Sequence, residues 1–207
     1  MDTPRGTSPS WSQLALRVGA AVLVACPAAA CSTGGISGAE GSADPGRRPF
    51  TTTQVEPAGL AAGQVVPLTT EPVLRVGGKI SSPNDGDFLQ LGLDTLDEFE
   101  VLKVDVYEPW VKDRLVFQGV WLADVLEAAG AADSARTVQM VALDDFSVDL
   151  TMAEIDAGGI FLATKTEDGS PIPIEDGGPT RIVFMDGVAA GASPDQWIWS
   201  LKDITVR

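Results

Sequence analysis

The sequence predicts an α+β domain dominated by strands: β-rich mixed sheets carrying two or three short helices. Three observations predict it. The 207 residues include 22 Gly and 14 Pro, too many breakers for a bundle of long helices. From about residue 71 onward the apolar residues fall in short runs that either alternate or are continuous, as in half-buried and fully buried strands. Helical spacing is clearest in one place, where Leu122, Val125, Leu126 and Ala129 share a face.

In chain order, Val73 to Ile80 reads as a first strand bent by Gly77-Gly78, and Asn84 to Asp87 as a turn. Asp94 to Phe99 fits a one-turn helix with Asp94 as N-cap. Val101 to Tyr107 alternates as a strand, and Leu115-Val116-Phe117 is another. Gly119-Val120-Trp121 opens the helix that Gly130 stops. Strands follow at Thr137–Leu143 and Phe146–Leu150, with Thr151 capping a short helix through Asp156. Gly159–Thr164 and Thr180–Met185 read as buried strands on either side of the Asp168-Gly169 turn. Trp197 to Leu201 and Ile204 to Val206 close the domain, with Trp197 and Trp199 alternating to opposite faces of a strand.

Ahead of this domain lie two segments of different character. Residues 1–31 have Arg5 and Arg17 before an apolar, small-residue run from Val18 to Ala30, the pattern of an export signal too short to span a bilayer comfortably. Leu23-Val24-Ala25-Cys26 and Ala28-Ala29-Ala30-Cys31 each resemble a bacterial lipobox, in which the cysteine becomes the lipidated N-terminus. Cys31 is favoured because Ser-Thr-Gly-Gly follows it; Cys26, followed by Pro27, is the alternative. Residues 32–70 lack apolar periodicity and are punctuated by Pro45, Pro49, Pro57 and Pro67, as in a flexible linker. The expected arrangement is a domain over 71–207, tethered through membrane lipid to the outer face of a bacterial cell membrane.

Composition restricts the chemistry. There is no histidine, and no cysteine from residue 32 onward. This removes zinc sites of the His type, Ser-His-Asp triads and thiol catalysis from the domain. A formal net charge of −15 repels DNA, RNA and anionic lipid, so no nucleic-acid partner is expected. Loss of Arg5 and Arg17 against Asp2 with the leader makes the remainder more acidic still.

Five blocks in register carry a resemblance. They are Leu96-Asp97-Glu98-Phe99 with Val104 to Trp110; Phe117 to Leu126, reading FQGVWLADVL; Ala142 to Phe146; Gly177 to Phe184; and Trp197 to Val206. Together they resemble the oxidoreductase molybdopterin-binding domain family, over roughly residues 71–207, in the manner of a small exported branch of it. The resemblance implies a sulfite oxidase-type molybdopterin-binding fold, a molybdopterin cofactor and an oxidoreductase activity. It also implies a cysteine thiolate on the metal, and counting back from Phe117 places that ligand near Tyr107, where this chain has no cysteine. Tyrosinate is a hard oxygen donor and a poor replacement for a soft thiolate.

Four residues are therefore crevice candidates for a cofactor or ligand: Tyr107, Asp144, Asp145 and Arg181. Tyr107, the single tyrosine, marks the former ligand position or is a half-buried aromatic. Asp144-Asp145 is a carboxylate pair lining the crevice or a local turn. Arg181 enters a buried strand, so it forms an internal salt bridge or contacts an anion. No metal-ligand set is expected. Two functions follow. One is a degenerate domain that binds a small ligand or an envelope protein. The other is a molybdopterin-dependent oxidoreductase with a non-cysteine metal environment.

Overall fold

The computed structural model describes residues 50–60 and 64–207. The leader over 1–31, Cys26 and Cys31 lie outside the described residues, as does the linker up to residue 49. Within the stretch read as linker, Thr53–Glu56 forms a strand, β1, that pairs antiparallel with Val101 to Lys103, and Val66 is buried against the core. All four β1 residues are exposed, so no apolar alternation could reveal this strand.

Two five-stranded sheets make up the domain. The first has the order β1-β4-β5-β8-β9, antiparallel throughout, with β4 at Val101–Glu108, β5 at Asp113–Trp121, β8 at Ile160–Thr166 and β9 at Arg181–Phe184. The second has the order β3-β2-β10-β6-β7, with β2 at Leu74–Gly78, β3 at Leu89–Leu91, β6 at Thr137–Ala142, β7 at Ser147–Thr151 and β10 at Leu201–Val206. It is mixed because β10 runs parallel to β2 and antiparallel to β6. Three short helices complete the fold: α1 at Leu93–Leu96, α2 at Leu122–Ala128 and α3 at Met152–Asp156.

Several local expectations need correction. Asp94 does not cap α1: Gly92 does, while Asp94 sits in the first turn and accepts from its neighbour's Thr95 N–H at 2.8 Å. Gly119 to Trp121 belongs to β5, because three residues of cross-strand pairing with β8 outweigh the helical pattern that begins only at Leu122. Trp197 and Trp199 are not in a strand at all; they follow a 3₁₀ turn at Pro194–Gln196 and precede β10. Thr151 does cap α3, in a reciprocal pair with Glu154.

The core forms from the buried faces of both sheets and the inner stripe of α2, with Leu122, Val125 and Leu126 buried. Trp121 packs edge-on against Phe161, with ring centroids 5.3 Å apart. The first sheet is strongly coiled. Its strands β4 and β9 are separated by β5 and β8, which in a flat sheet would put them ~14 Å apart. Their Cα atoms instead come within 8 Å.

Gly119 sits where the β5–β8 register shifts. A Cβ there would collide with the Leu162 carbonyl oxygen and lie 3.0 Å from the Ala163 Cα, both backbone atoms that cannot rotate away. Gly119→Ala should therefore lower unfolding free energy by about 1–3 kcal/mol, measured by urea denaturation.

Candidate functional site

The alternation of β4 builds the site. Val104 and Val106 are buried while Asp105 and Tyr107 are exposed, so the next inward position falls to Glu108, which is fully buried. A carboxylate carried into the core needs a cation. Arg181 on β9, 2% exposed, supplies it: Nη2 donates to Glu108 Oε1 at 2.8 Å. The pair is further bound at both ends. Arg181 Nη1 donates to the Asp176 carbonyl at 2.9 Å, and Glu108 Oε2 accepts the Val111 N–H at 2.6 Å. Arg181 Nε has no partner. Burial pulls the guanidinium below its ordinary pKa, and the Glu108 charge works against that shift.

Two aromatic rings enclose the guanidinium. Its carbon lies 4.3 Å from the Trp199 ring centroid and 5.2 Å from that of Phe117. Trp199 gets this close because residue 177 is glycine, at φ +87°, where a Cβ would stand 2.7 Å from the indole. Trp199 is thus a wall between two clefts. One, of about 450 Å³, includes Arg114, Phe117, Asp176, Arg181 and Trp199. The other, of about 440 Å³, is lined by Trp110, Ala142, Asp144, Phe146, Pro194, Asp195, Trp197 and Trp199.

The four sequence candidates do not converge. Arg181 lines the first cleft and Asp144 the second. Asp144 and Asp145 lie in the β6–β7 turn; Asp144 Oδ1 accepts the Phe146 N–H, and Asp145 adopts φ +67°. Asp145 lies in neither cleft and pairs with Lys202 at 2.7 Å, which holds its carboxyl below the usual range. Tyr107, 48% exposed, also lines neither cleft. Its N–H donates to Asp186 Oδ1 at 3.1 Å, and Asp186 together with Asp105 takes up Arg114, each at 2.8 Å. Trp197 and Trp199, expected on opposite faces, line the same cleft. Sequence reasoning missed Glu108, although its place in the Val104, Val106, Glu108 series was the signal. It also missed the grouping of Trp110 with Phe146 and Trp197.

The residues present do not fit molybdopterin. The resemblance calls for one cysteine thiolate on the metal, and residues 50–207 contain no cysteine. Among the described residues, no group of three or more Asp or Glu could hold a metal either. An anionic pterin needs uncommitted cations. The two arginines of the first cleft are committed, Arg181 to Glu108 and Arg114 to Asp105 and Asp186. The second cleft presents Asp144 and Asp195 and no lysine or arginine.

Comparisons place the fold. The family model described as "Oxidoreductase molybdopterin binding domain" matches residues 98–206, more than half of the chain. No curated protein sequence matches it. Among solved structures, the sulfane dehydrogenase SoxCD from Paracoccus pantotrophus is similar, with a TM-score of 0.51 at 15% identity. The match covers 64% of this chain and 37% of that one, so the chain spans little more than a third of that structure's length. The shared architecture is the sulfite oxidase-type molybdopterin-binding fold.

Removing one member of the buried pair leaves the other charge uncompensated. Arg181→Met should cost about 3–5 kcal/mol in urea unfolding, and adding Glu108→Leu should recover most of it. Asp186 gives a pH test. Arg114 holds its carboxyl below the ordinary range, with the Tyr107 N–H helping. The stability this adds is complete above the unfolded-state pKa and disappears as pH falls through the lower folded value. Wild type and Asp186→Asn should therefore differ modestly near neutrality and converge in acid, followed by thermal melts across pH.

Proposed function

We propose a role without molybdenum chemistry for this chain, which belongs to the oxidoreductase molybdopterin binding domain family. It is an exported lipoprotein, held on the outer face of a bacterial membrane through Cys31, or through Cys26 as the alternative, with the family fold serving as a binding module for a small ligand or an envelope partner. The observation that carries this reading is the Glu108–Arg181 pair. The one deeply buried cation among the described residues is neutralised by the protein's own carboxylate, at 2.8 Å, and so is not held ready for an anionic cofactor. Tyr107, where the resemblance calls for a thiolate, faces solvent. The family's usual chemistry, an oxidoreductase reaction at a pterin-bound metal, remains the competing reading, supported by the family match.

Two measurements decide between them. The full chain, purified from a host that makes the molybdenum cofactor, should contain far less than stoichiometric molybdenum and pterin by elemental analysis and pterin fluorescence. Stoichiometric molybdenum would establish the oxidoreductase reading instead. For the anchor, Cys31→Ser should move the protein from the membrane fraction to the soluble fraction, and Cys26→Ser should leave it in the membrane fraction.

A further inference from the structure

We propose that the cleft formed by Trp110, Phe146 and Trp197 binds a small organic cation of the alkylammonium or quaternary ammonium class. The inference rests on the reading of the domain as a binding module and names the ligand chemistry of that module. The cleft is open to solvent and has a volume of about 440 Å³. That is ample for such a molecule and sits within the range of roughly 300–1,000 Å³ usual for small-molecule sites.

Apart from Trp199, whose buried indole N–H has no partner among the described residues, its rings have little left to offer but their π surfaces. The Trp110 indole N–H donates to the Pro194 carbonyl at 3.3 Å, and the Trp197 N–H to the Gly191 carbonyl at 3.0 Å. Both bonds fix a ring while removing its donor. Trp110 and Phe146 are nonetheless 55% and 47% exposed, an apolar exposure that core packing does not require. A ring face attracts a cation, most strongly when the cation is poorly hydrated, as an alkylated ammonium is.

Charge selects in the same direction. Asp144 and Asp195 line the cleft, and no lysine or arginine does. The neighbouring Lys202 is tied to Asp145. An anion would meet two carboxylates in a protein of net charge −15, and a neutral ligand would gain no Coulomb attraction from either. The Trp199 ring is already engaged by a cation, because Arg181 lies against it at 4.3 Å. The cation is left chiefly to the exposed rings of Trp110 and Phe146, with Trp197, buried and packed on Phe184, lining the cleft beside them.

The test uses the full chain, shown by elemental analysis to be free of molybdenum. Choline and its uncharged tert-butyl analogue, alike in shape, are each titrated by calorimetry and tryptophan fluorescence. Choline should bind saturably, and the uncharged analogue roughly tenfold or more weaker, the margin expected of a partly desolvated cation–π site. Trp110→Ala, and separately Asp144→Asn with Asp195→Asn, should each weaken choline binding by a similar factor while the melting temperature stays close to wild type. Equal affinity for the two ligands would overturn the proposal. So would unchanged binding in the well-folded Trp110→Ala variant, or no saturable binding of choline at all. Those results leave the binding-module reading standing, whereas molybdenum in the purified chain would remove that reading whatever choline does.

Discussion

The buried pair between Glu108 and Arg181 is the constraint from which most of the site's geometry follows. The strict alternation of β4 delivers a carboxylate to the core. Its counter-ion lies three strands away in the same sheet, on β9. A coiled sheet brings the two within hydrogen-bond distance. Trp199 then covers the guanidinium, and Gly177 makes room for Trp199. The wall between the two clefts is a by-product of shielding that one charge. A buried ion pair of this kind is weak evidence for stability, since desolvation offsets most of its attraction. Its effect here is to fix which strands and which indole must meet.

At the surface the same acidic chain handles its few cations differently. Arg114 is shared between Asp105 and Asp186, and Lys202 is paired with Asp145. These contacts are exposed and individually worth little. Together they leave the two clefts with contrasting character. One is backed by arginines already in use, and the other is aromatic and acid-edged. The charged groups lining the second cleft, Asp144 and Asp195, carry the same sign of charge as a phosphorylated pterin.

Much of the fold could be read from local pattern because its strands obey simple periods. Val101 to Tyr107 alternates, Ile160 to Thr164 and Arg181 to Phe184 are continuous, and Thr151 with Glu154 announces a capped helix. The failures came where pairing partners, absent from the local sequence, decide the outcome. β1 is fully exposed and exists because β4 offers it an edge; Gly119 to Trp121 looks like a helix start until β8 claims it. The site was less legible for the same reason. Arg181 was seen to need a partner, but its identity depends on how a sheet coils. The grouping of Trp110, Phe146 and Trp197 draws on three segments far apart in the chain.

The place of β10 in the second sheet has a bearing on how the protein reaches that state. This strand is inserted between β2 and β6, and its Asp203 is hydrogen-bonded to Arg75, 128 residues earlier. Without it the sheet is two separate ladders, β3-β2 and β6-β7, each with a raw edge of unpaired backbone groups. Closing so long a loop is slow. During folding those edges are exposed to self-association until β10 arrives, so the period of greatest danger to the molecule is set by this distant strand pairing.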